Sequence, residues 1–162
     1  MSVIVWIVEG TWPACVDAAR TRTADDADLV LLHVTDLPST AHGAYAGLLG
    51  RGRPDRDPGA RLAHLTATAT EELLAAATER LGRPCTTRAR TGRIEHEVIA
   101  AAEHADLLIL ARDGDRTRLG PKSLGRATRF VIDHAPCPVL LLWPQPAPSI
   151  ATIPPPPPLH HP

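Results

Sequence analysis

Four short runs of this sequence are apolar at nearly every position, and they limit the possible folds more than any other feature. A strand with one face in water alternates polar and apolar residues, whereas a strand covered on both faces is apolar throughout. The four runs are Val3–Val8, Leu29–Val34, Asp106–Leu110 and Val139–Trp143. They predict strands of a parallel sheet with helices on both faces. A weaker, alternating stretch, Cys85–Arg90, predicts an edge strand.

Segments with helical periodicity separate these runs. Residues 58–81 place leucines and alanines on one face, which we expect to be buried; they are Leu62, Leu65, Ala69 and Leu73. The other predicted helices are Cys15–Thr23 and residues 93–104 and 124–134. This alternation predicts a single doubly wound, Rossmann-like α/β fold with a five-stranded parallel sheet and helices on both faces. Ligands of such folds bind beyond the carboxyl ends of the strands, which here indicates the loops after Val8 and Leu110.

The same pattern predicts one domain over residues 1–144, interrupted by a loop insertion at residues 38–57. A connection of that length is typical of a lid, a partner surface or a disordered segment. Nine of the 17 prolines lie in residues 144–162. Because proline cannot continue a core helix or a central strand, residues 145–162 are predicted to form a Pro-rich disordered tail.

Composition narrows the classes of partner and compartment. The formal net charge is −1 and aromatic residues make up 3% of the chain, so we expect neither nucleic acid nor a membrane surface as partner. The apolar N-terminus is too short for a signal peptide or a membrane span. Three cysteines without a C-x-x-C pair predict no disulfide framework or zinc site and favour the reducing cytoplasm.

The segment ARDGDRTRLGPKSLGR, residues 111–126, follows the third of the four runs and precedes the last predicted helix. Between positions 112 and 129 the chain carries six cationic side chains and two carboxylates. Glycines, cations and a helix N-terminus attract anions, so the segment predicts a phosphate-binding loop. An exposed arginine-rich loop without a ligand fits the same pattern equally well.

Other chemistries fit the sequence less well. Residues 114–123 approach a P-loop, but Pro121 lacks the backbone N–H that such a loop uses. The turn EGT at residues 9–11 lacks G-x-G-x-x-G, which disfavours a dinucleotide oxidoreductase. The histidine spacing predicts no metal site. With no acid–base or thiol constellation, an enzyme of the wider nucleotide-binding α/β class is the least favoured hypothesis.

Several segments together resemble the universal stress protein family, over nearly the full chain to about Trp143. They are VIVWIVEGT, LVLLHV, ADLLILARDGD and, most specifically, SLGRATRFVIDHAPCPVLLLW. The resemblance implies a regulatory protein that forms a homodimer through Val139–Trp143. Many members bind ATP, so ATP or AMP is the implied ligand; the sequence gives no expectation for Mg²⁺.

In ATP-binding members, an acidic residue after the first strand and backbone at the end of the second strand contact adenosine. A G-x2-G-x9-G-[ST] loop holds the phosphates. Here Glu9 replaces the usual Asp and Arg126 replaces the final Ser or Thr. With Gly125 as the last glycine, an ungapped match puts Arg112 and Asp115 at the earlier glycines. Allowing one extra residue puts Ala111 and Gly114 there.

By position, the resemblance therefore implies an adenosine subsite of Glu9, Gly10, Thr11, His33 and Val34. It implies a phosphate subsite of Ala111, Arg112, Gly114, Gly125 and Arg126. The altered loop leaves a second hypothesis open, a nucleotide-free dimeric scaffold that docks partners through residues 38–57 or the Pro-rich tail.

Overall fold

Five parallel strands form one sheet in the computed structural model, which describes residues 1–36 and 58–157. The strand order is β3-β2-β1-β4-β5. The strands are β1 Ser2–Trp6, β2 Asp28–Asp36, β3 Thr86–Gly92, β4 Leu107–Ala111 and β5 Val139–Leu142. The helices are α1 Trp12–Arg22, α2 Pro58–Leu81, α3 Ile94–Ala102 and α4 Arg126–His134. The predicted doubly wound α/β fold is confirmed, with β3 at one edge as expected.

The strand order reverses between β1 and β4, since the chain builds β2 and β3 on one side of β1 and then β4 and β5 on the other. Pairing between β1 and β4 ends at Val5 with Ile109. By contrast, β1 pairs with β2 through Trp6, and β4 pairs with β5 through Ala111. The two central strands thus part near their carboxyl ends, which is where ligands bind in open α/β sheets.

Side chains of β1 alternate between two buried layers, as the two-residue period of a strand requires. Val3, Val5 and Ile7 pack with residues of α1 and α2, whereas Ile4 and Trp6 pack with residues of α3 and α4. Each of these five side chains is at most 4% exposed. Burying one such side chain stabilises the fold by about 2 kcal/mol, so this central strand anchors both layers.

One prediction about α2 is wrong. Leu62 and Leu65 were expected in the core but are 60% and 59% exposed, and burial begins only at Thr70. The helix has 24 residues, and Thr70 at its middle lies beside the carboxyl end of β2, with Thr70 Oγ1 3.5 Å from Oγ1 of Thr35. Its first half therefore extends past the carboxyl edge of the sheet, where it can line a crevice.

The segment after β5 contacts the rest of the chain. Ile150–Thr152 form a 3-10 turn, capped by Ser149 Oγ, which accepts a hydrogen bond from the Ala151 N–H at 3.2 Å. Thr152 Oγ1 accepts a hydrogen bond from the Leu119 N–H at 3.0 Å. The predicted insertion at residues 38–57 and the last five residues, 158–162, lie outside the described residues, so the proposed domain boundaries remain predictions. Within the described ranges, no helix is long and apolar enough to cross a bilayer.

Candidate functional site

The turn after β1 leads directly into α1. The Val8 carbonyl accepts hydrogen bonds from the backbone N–H groups of Thr11 at 3.2 Å and Trp12 at 3.0 Å. Gly10 has φ +82°, a left-handed conformation that favours glycine, and this allows the tight reversal. Thr11 is buried, with its hydroxyl 3.4 Å from the same carbonyl, so it shapes the turn. Glu9 is exposed at the apex.

Alternation along β2 places two polar side chains beyond the apolar core. His33 and Thr35 share a face with Leu29 and Leu31, the face that α1 and α2 cover. The Nδ1–H of His33 donates to the Ile7 carbonyl at 2.8 Å, because a carbonyl can only accept. In the neutral ring this leaves Nε2 as an acceptor. Val34 points to the opposite face, where its side chain is buried. Only its backbone could therefore contact a ligand in the site.

A crevice of about 620 Å³ lies between these strand ends and the first half of α2. Glu9 and His33, both predicted site residues, line it together. Its volume is within the usual range of about 300–1,000 Å³ for small-molecule sites. Lining residues that the sequence analysis did not assign to the site are Trp12, Thr35, Leu65, Thr66, Ala69, Thr70, Glu72, Leu73 and Ala76. Threonines four residues apart beside leucines are the sequence feature that could have indicated a mixed, ligand-facing surface on α2.

The loop after β4 is closed by its own backbone. The Gly114 N–H donates to the Ser123 carbonyl at 2.9 Å, and the Asp115 N–H donates to the Lys122 carbonyl at 2.8 Å. A Cβ on Gly114 would overlap the Lys122 carbonyl oxygen and lie 2.8 Å from the Ser123 carbonyl carbon. This glycine is therefore required by the close approach of two parts of the loop.

The start of α4 is occupied by a side chain of the same loop. Asp113 Oδ1 accepts from the Gly125 N–H at 2.7 Å, and Oδ2 accepts from the Thr128 hydroxyl at 2.8 Å. Thr128 is 1% exposed. A Cβ on Gly125 would lie 2.8 Å from both carboxylate oxygens, so this glycine lets Asp113 approach the helix.

The predicted phosphate-binding side chains are not gathered around the crevice. Arg112 donates to the Ser123 hydroxyl and its guanidinium lies 4.7 Å from the centroid of the Trp143 ring, a cation–π distance. Ala111 is buried in the core at the end of β4. Arg126, the first residue of α4, lines a separate depression of about 480 Å³ with Leu124, Arg129, Phe130 and Asp133.

Charged groups of the loop are also paired locally. Arg118 Nε lies 3.5 Å from Asp115 Oδ2. Hydrogen bonds from the Thr117 hydroxyl and backbone lower the pKa of Asp115 below its ordinary value, with smaller contributions from Arg118 and Lys122. Arg129 donates to the Pro121 carbonyl. Much of the positive charge that suggested an anion site is thus directed at the loop itself.

The three cysteines are unpaired. Burial raises the pKa of the Cys15 thiol to about 12, and burial together with Asp106 raises the pKa of Cys137. Raised pKa values suppress the nucleophilic thiolate at neutral pH. Over residues 1–36 and 58–157, no cluster of three or more potential metal ligands occurs.

Comparison with known proteins agrees with this architecture. The chain is similar to UspA from Lactobacillus plantarum, with 19% identity, 88% of this chain and 97% of that chain covered, and a TM-score of 0.61. It is similar to a universal stress protein crystallised in complex with cAMP, with 17% identity, 90% and 98% covered, and a TM-score of 0.57. It is also similar to a universal stress protein family protein from Arabidopsis thaliana with AMP bound, with 16% identity, 95% and 96% covered, and a TM-score of 0.52.

At these identities, the structural likeness establishes the fold alone. A search among curated proteins found no match. The sequence model described as the universal stress protein family matches residues 9–142, which is most of the chain. The family expected from the sequence is therefore confirmed: the chain belongs to the universal stress protein family.

Proposed function

We propose that this protein is a universal-stress-type regulatory protein that binds an adenine nucleotide, with the adenosine part in the crevice between β1, β2 and α2. The observation that carries this proposal is that Glu9 and His33 line one crevice at the carboxyl edge of the sheet. This is the edge at which doubly wound folds bind ligands. Two proteins of similar fold were crystallised with cAMP and AMP, which supports the same ligand class.

The lining residues offer complementary chemistry for a nucleoside. The Glu9 carboxylate can accept hydrogen bonds from ribose hydroxyls, and His33 Nε2 can accept one from a base or sugar. The hydroxyls of Thr35 and Thr70, 3.5 Å apart, supply groups that donate or accept. Trp12 supplies aromatic surface for a base. In this proposal Gly10 and Thr11 act by shaping the turn, and Val34 acts through its backbone.

The phosphates of the nucleotide would lie toward the loop after β4. Gly114, Gly125 and Arg126 remain the candidates from the sequence, with ATP and AMP as the two candidate nucleotides. The closed loop after β4 favours the second hypothesis, a nucleotide-free scaffold of the same fold, because its backbone donors are bonded internally. The same ligand titration decides between the two.

We further propose that the protein acts as a homodimer in the cytoplasm. β5 is an edge strand, and its residues Val139–Leu142 are all apolar yet only half-buried. Unpaired apolar edges favour pairing with a second copy, here through Val139–Trp143. Three free thiols suit a reducing compartment. Sedimentation equilibrium that gave only the monomer mass of 17.3 kDa at micromolar concentrations would contradict the dimer.

Thermal-shift titrations with adenosine, AMP and ATP test the ligand proposal. A ligand present at 100 times its Kd adds about 2.7 kcal/mol to the free energy of unfolding, so binding raises the melting temperature. We expect adenosine and AMP to raise it at millimolar concentration. If none of the three ligands does, the scaffold hypothesis replaces this proposal.

Glu9→Gln sharpens the test. The substitution should weaken adenosine binding about tenfold, because a charge-assisted hydrogen bond becomes neutral. It should leave the ligand-free melting temperature unchanged, since Glu9 is exposed. Glu103→Gln is the matched control: Glu103 is also exposed, but it follows α3 and precedes β4, at the opposite edge of the sheet. Equal affinities in both variants would remove Glu9 from the site.

A further inference from the structure

The start of α4 has the features of an anion site, yet a carboxylate of this chain already fills it. A helix N-terminus that follows a glycine-containing loop attracts anions through its free N–H groups and the helix dipole. Here Asp113 takes the Gly125 N–H at 2.7 Å and the Thr128 hydroxyl at 2.8 Å. The carboxylate thus takes one N–H and one hydroxyl that could otherwise bond a phosphate oxygen.

The two glycines that suggested a phosphate loop fit this internal arrangement. At Gly125, the space next to Cα is filled by both oxygens of Asp113, which lie 2.8 Å from the position of a Cβ. At Gly114, it is filled by backbone of Lys122 and Ser123. Both glycines allow close contacts within the loop, and the space beside each of them is occupied by atoms of the loop and not open to a phosphate.

Half of the cationic side chains of the loop are engaged as well. Of its six cationic side chains, three have internal partners: Arg112 with Ser123, Arg118 with Asp115, and Arg129 with Pro121. At the far end of the loop, Thr152 accepts the Leu119 N–H at 3.0 Å. Half of the cationic side chains and the N–H groups of Gly114, Asp115 and Gly125 therefore have partners within the chain.

We propose that Asp113 is a built-in anion that determines ligand specificity: it occupies the phosphate position at the start of α4, so the site takes adenosine in preference to ATP. This inference rests on the proposed binding of an adenosine group in the crevice. A triphosphate directed at the loop would meet a like charge and would have to displace a carboxylate from the Gly125 N–H. Adenosine carries no phosphate, so the negative charge of Asp113 does not repel it.

Asp113→Asn tests the inference, because asparagine keeps the size and an acceptor oxygen while it removes the charge. Asp115→Asn is the matched control, since it removes the same charge from the same loop at a residue bonded to Thr117 and Arg118 instead of α4. Binding of adenosine, ATP and inorganic tripolyphosphate is measured by calorimetry for the wild type and both variants at one ionic strength. Because tripolyphosphate has no adenosine group to occupy the crevice, its binding reports on the anion position alone.

We expect the wild type to bind adenosine at least as tightly as ATP and to bind tripolyphosphate weakly. Asp113→Asn should strengthen binding of ATP and tripolyphosphate about tenfold and leave adenosine unchanged, whereas Asp115→Asn should change either by no more than about twofold. The inference is overturned if both variants gain equally, or if Asp113→Asn gains nothing. It is also overturned if the wild type binds ATP tenfold tighter than adenosine, a result that needs no variant.

Failure of the proposed function looks different. In that case no form of the protein binds adenosine, while tripolyphosphate still separates Asp113→Asn from the wild type and from Asp115→Asn. A gain for tripolyphosphate in Asp113→Asn alone supports the built-in anion, and no gain overturns it. The crevice and the anion position are thus judged by separate ligands.

Discussion

The turn after β1 and the loop after β4 lie at the same edge of the sheet, on adjacent strands, yet they use their polar groups in opposite ways. After β1, the Glu9 side chain is exposed, and no atom of residues 1–36 or 58–157 lies within 4 Å of the position of a Cβ on Gly10. After β4, Asp113 is exposed too, but its two oxygens are bonded to Gly125 and Thr128 at the start of α4, and Gly114 is in contact with backbone on the far side of the loop. The first region keeps its carboxylate available, while the second has bonded its carboxylate internally.

This difference shows that glycines and charges alone do not reveal whether a loop serves a ligand or itself. A preformed anion site needs donors without internal partners, whereas buried or crowded donors are normally satisfied within the protein. The loop after β4 meets the second description. Ligand affinity in this protein is therefore expected to depend mainly on the β1 and β2 side of the crevice.

The largest effect is expected when the closed loop is forced open. Gly114→Ala should lower the free energy of unfolding by about 3 kcal/mol, because its Cβ would overlap backbone of Lys122 that cannot rotate away. Gly10→Ala is the comparison on the β1 side. Its Cβ would meet no atom of the part of the chain that the structure describes, but the φ of +82° disfavours alanine, so we expect a loss of about 1 kcal/mol.

Urea unfolding followed by circular dichroism measures both variants. The slope of the transition should stay the same, so that the midpoints report stability directly. Equal losses in the two variants would mean that the loop after β4 opens as readily as the turn after β1. The contrast between the two regions would then not hold.

A second, smaller effect concerns the bond that holds Asp113 in place. Thr128→Val keeps the shape of the buried side chain and removes the hydroxyl that donates to Asp113. We expect a loss of about 1 kcal/mol, the usual value for one hydrogen bond, again measured by urea unfolding. Thr117→Val, which removes an exposed hydroxyl bonded to Asp115, should cost clearly less. If the order were reversed, Asp113 would not be the residue that anchors the loop to α4.

Much of the fold could be predicted because a buried strand is a short, continuous run of apolar residues in the sequence. The four apolar runs correspond to β1, β2, β4 and β5, and the alternating stretch corresponds to the edge strand β3. β1 ends at Trp6, two residues before the run does, because the Val8 carbonyl is used by the turn. The exposure of Leu62, Leu65 and Ala69 was missed, because apolar spacing alone did not identify the buried face of α2. The buried positions, Thr70, Leu74, Ala77 and Leu81, are displaced by one residue from the predicted face.

The candidate site was only partly predictable. Glu9 follows β1 and His33 lies in the carboxyl-terminal half of the adjacent strand β2, so their meeting follows from the parallel order. Trp12 and Thr70 join them through tertiary packing that no local pattern encodes. In the sequence, Asp113 is one of two carboxylates among six cationic side chains. In the structure its partners are Gly125 and Thr128, which are 12 and 15 residues away. Such a contact becomes visible only when the loop is seen folded.

The smallest expected effect lies on the β1 side, where an exposed ion pair joins α1 to α2. Arg80 donates to both oxygens of Asp17, at 2.9 and 2.7 Å, and these hydrogen bonds lower the pKa of Asp17 below 3.8. A lowered carboxylate pKa stabilises the fold above the unfolded pKa, and this contribution is lost as the pH falls through the folded value. Asp17→Asn should therefore reduce the melting temperature by about 2 °C at pH 7 and by less at pH 3. Asp25→Asn, an exposed residue of the loop after α1, serves as control at both pH values. A loss at Asp17 that persisted at low pH would mean that packing, and not charge, joins the two helices that flank the open turn.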